Sequence, residues 1–182
     1  MNSVSSPFFV LLVILTLWPL QVHAADETNG NDLINKACER ALFKDFCKSS
    51  LQSSPESKHA SLNDLAKISL NLALSQGNAV HNHVKDLLST TTPEPKLKQC
   101  LEDCSNNFEE AVDQLEDSIA ALGSKGYSDV NTWVTAAMSD AESCQNGFQD
   151  QQIHNSPLTE KSTTFSKLCS NVLAITNQLA GM

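Results

Sequence analysis

From residue 62 onward, apolar side chains recur at steps of three and four, the period of an α-helix with one buried face. The first stripe runs Leu62, Leu65, Ser69, Leu72, Gln76, Val80, His83 and Leu87, with Asp64 in its first turn and a stop before Ser89-Thr90-Thr91-Thr92-Pro93. The second runs Leu97, Leu101, Cys104, Phe108, Ala111, Leu115, Ser118 and Leu122, with Gly123 as its C-terminal stop. A short loop from Gly123 to Tyr127 leads to Val130, Trp133, Ala137, Ala141, Cys144 and Phe148. After a polar loop over 151–157, the last stripe holds Phe165, Leu168, Val172, Ile175 and Leu179 and stops at Gly181. Each stripe covers one face, so none of these helices is stable alone. Short connections make sequential neighbours antiparallel, which predicts an all-α, up-down-up-down four-helix bundle over 61–182.

Upstream the pattern is short and broken. Leu33, Ile34, Ala37 and Cys38 form one piece, and Leu42, Phe43, Phe46 and Cys47 another. Two short helices with a bend fit this better than one long helix. A polar linker over 52–60 closes an N-terminal helical hairpin and linker expected over 25–60, with 25–31 as a polar tail. Residues 1–24 read as a signal peptide. Phe8 to Val22 is apolar apart from Thr16, Pro19 and Gln21, and Val22-His23-Ala24 offers small residues for a cut after Ala24. The clean apolar stretch is shorter than the ~20 residues a spanning helix needs. The segment has no Lys or Arg before its apolar core, a mild departure from the usual leader.

Charge and cysteine content then narrow the function. No charged residue lies in 1–24, so the net charge of −9 belongs to residues 25–182. Nucleic acid and anionic membranes would both repel such a chain, whereas a basic protein would attract it. All six cysteines (Cys38, Cys47, Cys100, Cys104, Cys144 and Cys169) follow the expected cut, and in an oxidising compartment they imply a disulfide framework whose pairing spacing alone leaves open. The expected location is extracellular, in the cell wall or apoplast, and no N-glycosylation sequon is found.

Candidate chemistry is sparse. His81 and His83 are two apart on a helix and point to different faces, which disfavours a shared metal. Cys100 and Cys104 share a face, but burial or disulfide bonding accounts for them more simply. Glu102, Asp103, Glu109, Glu110, Asp113, Glu116 and Asp117 crowd one helix, and no Lys or Arg lies between Lys98 and Lys125. The simplest reading of such a run is a solvated face; exposed helices usually mix both signs, however, so its one-sign character is also a hint of a binding surface for a basic partner. Phe108, Trp133, Phe148 and Phe165 fall at stripe positions and are expected in the core; Tyr127, in a loop, is a candidate interface anchor. No cofactor or metal is expected.

Five local features stand out: the Cys38/Cys47 hairpin, Cys104-Ser-Asn-Asn-Phe-Glu-Glu-Ala-Val-Asp-Gln-Leu, Asp129-Val-Asn-Thr-Trp-Val-Thr-Ala-Ala-Met, Glu142-Ser-Cys-Gln-Asn-Gly-Phe, and Leu168-Cys-Ser-Asn-Val-Leu-Ala-Ile-Thr-Asn. In these the chain resembles the plant pectin methylesterase and invertase inhibitors. The resemblance implies bridges Cys38–Cys47 and Cys104–Cys144, which would close loops of about 10 and 41 residues, worth roughly 3 and 4 kcal/mol. It implies a free thiol at Cys169; Cys100 is an addition to the family pattern, and a Cys100–Cys169 bond is disfavoured because those helices lie diagonally across the bundle. Members acting on invertase tend to carry Pro-Lys-Phe between the second and third long helices. Here that loop reads Gly123-Ser-Lys-Gly-Tyr-Ser128, so a pectin methylesterase inhibitor is the expected type and an invertase inhibitor the alternative. The resemblance further implies that Glu110 and Asp113, with Ser143, cover the enzyme's substrate cleft. Asn106, Gly126 and Asn146 stand where some relatives carry acids.

The expected function is therefore reversible one-to-one occlusion of pectin methylesterase, with Glu109, Glu110, Asp113, Tyr127, Ser143 and Asn146 on the contact face and no catalysis by the chain itself. A homodimer is left open. A carrier of small ligands is the reading from another class, disfavoured by the tight Leu, Phe and Ala stripes.

Overall fold

In the computed structural model, residues 22–90 and 92–182 are described, residues 22–29 by backbone alone. The leader expected over 1–24 lies outside them apart from its last three residues. The described chain is helical, with α1 (Val22–Ala37), α2 (Lys44–Gln52), a 3-10 turn (Pro55–His59), α3 (Leu62–Thr90), α4 (Pro95–Gly123), α5 (Tyr127–Asp150) and α6 (Thr159–Leu179). Helices α3 to α6 form the bundle: each packs on its neighbour in sequence, and α6 closes the ring against α3. Among the described residues no helix is long and apolar enough to cross a membrane.

Local chemistry sets the helix ends. Ser61 and Asp64 cap α3 reciprocally: the Ser61 amide and hydroxyl donate to Asp64 Oδ2 at 3.0 and 2.6 Å, and the Asp64 amide donates to Ser61 Oγ at 3.2 Å. Those bonds hold the Asp64 carboxyl below its usual pKa. Helix α3 outruns its expected stop by two residues, because the Ser89 and Thr90 hydroxyls both donate to the Asp86 carbonyl, at 3.1 and 2.6 Å. Pro95 opens α4, where its missing N–H costs nothing. The turn after α4 is made differently from expectation: Gly123 stays helical and Lys125 takes the left-handed conformation (φ 60°). Gly126 is the glycine that matters there. A Cβ on it would lie 3.1 Å from Asp129 Oδ2 and 3.3 Å from the Ala121 carbonyl.

The core departs from two sequence expectations. On α3 the buried set is Leu65, Ala66, Ser69, Leu70, Ala73, Gly77, Val80, His81 and Val84, while Leu72, Gln76, His83 and Leu87 are half-buried. The stripe is rotated because small residues mark the closest helix approach. A Cβ at Gly77 would sit 3.0 Å from the Phe165 ring and 3.3 Å from Val112. Phe165 in turn meets Phe108 edge-on at 5.4 Å, with both rings fully buried, so α4 and α6 meet through aromatic contact at the centre of the bundle. On α5, Val134 takes the core position, and Trp133 is 39% exposed. Val130, Val134, Ala137 and Ala141 already complete the stripe, so the ring one residue earlier turns outward.

The N-terminal hairpin packs on both α3 and α6. Cys38 and Cys47 are bonded across it, with Cα atoms 5.7 Å apart. Gln178 Nε2 donates to the Ala37 carbonyl at 2.7 Å, Arg40 donates to the Met182 carbonyl, and Lys167 lies over the Phe43 and Phe46 rings at 5.2 and 5.8 Å. Residues 25–31, expected as a tail, continue α1. Buried Ile34 and Ala37 fix its end, and Gly30 presses so close to the Lys58 carbonyl that any Cβ there would collide with it.

Candidate functional site

The second disulfide registers α4 against α5. Cys104 and Cys144 are bonded with Cα atoms 4.6 Å apart, and the antiparallel helices keep that register along their length. One turn before Cys104, the Cys100 thiol donates to the Gly147 carbonyl at 3.4 Å. Cys100 and Cys169 are free and buried, and burial raises both thiol pKa values, with Asp103 adding to the rise at Cys100. A buried thiol that resists ionisation is a poor nucleophile and a poor metal ligand.

On α4 all seven clustered carboxylates are exposed, but they do not form one surface. Glu109 and Glu110 diverge. Glu109 faces α3, where its charge acts on His81; Glu110 faces α5, where its charge acts on Asp140. On the α5 side, steps of four, three and four place Glu110, Gln114, Asp117 and Ala121 along one flank of α4. The matching flank of α5 carries Asp129, Trp133, Ala136 and Asp140, which run antiparallel to it. Both ends of this seam are fixed by contacts: Gly126 with Ala121 and Asp129 at one, Asp140 with Gln114 and Glu110 at the other.

Asp140 is the residue the sequence reading missed. Its carboxyl pKa is raised by burial, a rise that Gln114 opposes through a hydrogen bond and Glu110 reinforces through its negative charge. Its Oδ2 is buried without a partner among the described residues, as is Gln114 Oε1. Helical spacing holds no signal for this, since Asp140 precedes the buried Ala141 as any flank residue would. Only the pairing of two helices brings the charge of Glu110 to bear on Asp140.

The other expected contact residues divide. Asp113 points outward on α4, and Ser143 and Asn146 lie on the outward face of α5, one and two turns beyond Asp140. The Ser143 hydroxyl donates to the Ser139 carbonyl at 2.9 Å, leaving its lone pairs available. Asn146 also edges an open groove of about 580 Å³ between α5 and α6, walled by Thr135, Ser139, Glu142 and Ser166. Two residues stand apart. Glu109 belongs to the α3 side, and Tyr127 opens α5, half-buried against the core and about 24 Å along the helix from Ser143. His81, offered with His83 as a weak metal candidate, lines the core with Nε2 unpartnered, and burial followed by Lys85 depresses its pKa against the pull of Glu109.

A disulfide-braced four-helix bundle with an acidic outer seam offers a surface complementary to a basic protein. Residues 32–175 match the family described as plant invertase/pectin methylesterase inhibitor. The chain belongs to that family. It is 31% identical to a pectinesterase inhibitor of Actinidia deliciosa over 97% of this chain and 96% of the relative. It is also 32% identical to a protein of Platanus acerifolia provisionally named an invertase inhibitor, over 94% and 93% of the two chains. The crystal structure of a mutant form of a pectin methylesterase inhibitor from Arabidopsis superposes with a TM-score of 0.69 at 25% identity, covering 79% of this chain and 95% of that one.

Proposed function

We propose that the protein is a reversible, one-to-one inhibitor of pectin methylesterase that lays its α4–α5 face over the enzyme's pectin-binding groove. The observation that carries this reading is the charge of that face. Helix α5 contains no Lys or Arg, and α4 contains only Lys96 and Lys98 near its start, with Lys98 paired to Glu102 at 3.5 Å. A groove that binds a polyanion needs a basic rim, and such a rim attracts carboxylates in the same way. Glu110 and Asp113 then supply charge, Ser143 and Asn146 supply neutral hydrogen bonding, and blocking the groove requires no chemistry from the inhibitor. A leader over 1–24, removed on secretion, would deliver the remaining bundle to the apoplast, where that enzyme works.

Acid invertase is the second reading, favoured by the Platanus relative and by an Arabidopsis thaliana relative named as a cell wall / vacuolar inhibitor of fructosidase. The absence of Pro-Lys-Phe from the loop after α4 argues for the esterase. Parallel titrations of a plant pectin methylesterase and an acid invertase separate the two. The expected outcome is stoichiometric inhibition of the esterase, with Glu110→Lys and Asp113→Lys each weakening it about tenfold, or ~1.4 kcal/mol. Inhibition that neither substitution alters removes this face from the mechanism.

A further inference from the structure

Exposed large apolar side chains among the described residues are few: Leu42 and Phe43 on the hairpin, the terminal Met182, and Trp133. Trp133 is thus the one such residue within the four described bundle helices. It stands on the α4-facing flank of α5, two turns from Asp140 and one turn from Asp129, and the antiparallel register that sets Glu110 and Gln114 beside Asp140 and Ala121 beside Asp129 places it opposite Asp117. An indole with this much surface in water gains nothing for the fold from its exposed part. Its surroundings are negative: carboxylates lie before it, after it and across from it, and neither helix brings a cation to this level of the seam. Electron-rich aromatic faces and carboxylates favour the same guest, a guanidinium or ammonium group. A planar guanidinium suits both, since it stacks on a ring while its edge donates to oxygens.

We propose that Trp133 is a binding anchor of the inhibitory face, its indole stacking against an arginine or lysine side chain that the target esterase presents at the edge of its groove. The proposal rests on the assignment of that enzyme as target and adds to it a residue that charge alone does not supply. Acidic residues around the ring steer the cation in and bond its edge; the ring gives it a flat, partly dry surface, where such contacts are strongest.

The test uses the secreted chain, in which Trp133 is the only tryptophan once Trp18 has left with the leader. Three variants are titrated against plant pectin methylesterase: Trp133→Phe, Trp133→Leu and Trp133→Lys. Phenylalanine keeps an aromatic face and should stay within about threefold of the parent inhibition constant. Leucine keeps apolar bulk without that face and should weaken inhibition by three- to thirtyfold, and lysine, which repels the incoming cation, should weaken it further. Thermal unfolding separates these effects from misfolding, because a variant that melts with the parent has lost binding alone. A parallel readout needs no mutation: on forming the complex, Trp133 emission should shift to the blue and become harder to quench with acrylamide, read as the difference between the mixture and the sum of the two free proteins. Equal inhibition by Phe, Leu and Lys variants, with quenching unchanged in the complex, overturns the anchor and leaves the inhibitor assignment standing. A parent chain that does not bind the esterase at all overturns both.

Discussion

His81 shows how far one buried residue can tie stability to acidity. Its imidazole is 8% exposed, Nε2 has no partner, and burial with Lys85 nearby pushes its pKa below the ordinary value of 6.5. A histidine that is harder to protonate in the folded state than in the unfolded one contributes stability at pH above 6.5. That contribution falls away as pH drops through the unfolded value towards the depressed one. Asp140 has the opposite sign: its raised carboxyl favours the protonated form, so its contribution grows as pH falls through the window above 3.8. The two offset each other in part. Thermal melts between pH 7.5 and 5 should show a declining midpoint in the parent protein and a flatter one in His81→Gln. Identical slopes would mean that His81 does not titrate with folding. Neither shift is written in the sequence, where His81 is one half of an i, i+2 pair and Asp140 is an ordinary flank carboxylate beside an apolar stripe.

Helix α4 illustrates what an element's pattern conveys and what it withholds. Phe108, Ala111, Leu115 and Leu122 are buried where the stripe placed them, because a helix with one continuous apolar face has one way to hide it. The wheel placed the acids outside, which is also where they lie. Their division into an α3-facing and an α5-facing set depended on which helix packs on each flank. Helix α3 misled through its small residues: the stripe ran through Leu72, Gln76 and His83, whereas Ala73 and Gly77 admit Val112 and Phe165 to the helix surface. The Cys104–Cys144 bridge then locks α4 to α5 across a 40-residue separation. Replacing both cysteines by serine should cost roughly 4 kcal/mol in urea unfolding. Thiol labelling of the native variant should remain low, because Cys100 and Cys169 are buried. A loss near zero would show that helix packing alone fixes the seam.

At the scale of the whole molecule, charge is the dominant property. With a net −9 and a cation-poor seam, association with a basic groove should be fast at low ionic strength and slow as salt rises, with dissociation much less affected. Stopped-flow association rates between about 20 and 300 mM salt, where the screening length falls several-fold, should drop by an order of magnitude or more. A flat profile would assign recognition to shape instead. The sequence by itself determined the helical class, the number of bundle helices, the hairpin before them and the sign of the surface, because periodicity and charge are properties of each segment taken alone. Tertiary structure alone decided that Glu109 and Glu110 serve different neighbours, that Asp140 is hydrogen-bonded to Gln114 within reach of the charge of Glu110, and that Trp133 faces water instead of the core. Each of those depends on which flank of a helix meets its partner and at what register. That is settled by the fit of small and large side chains between helices, which no single stripe contains.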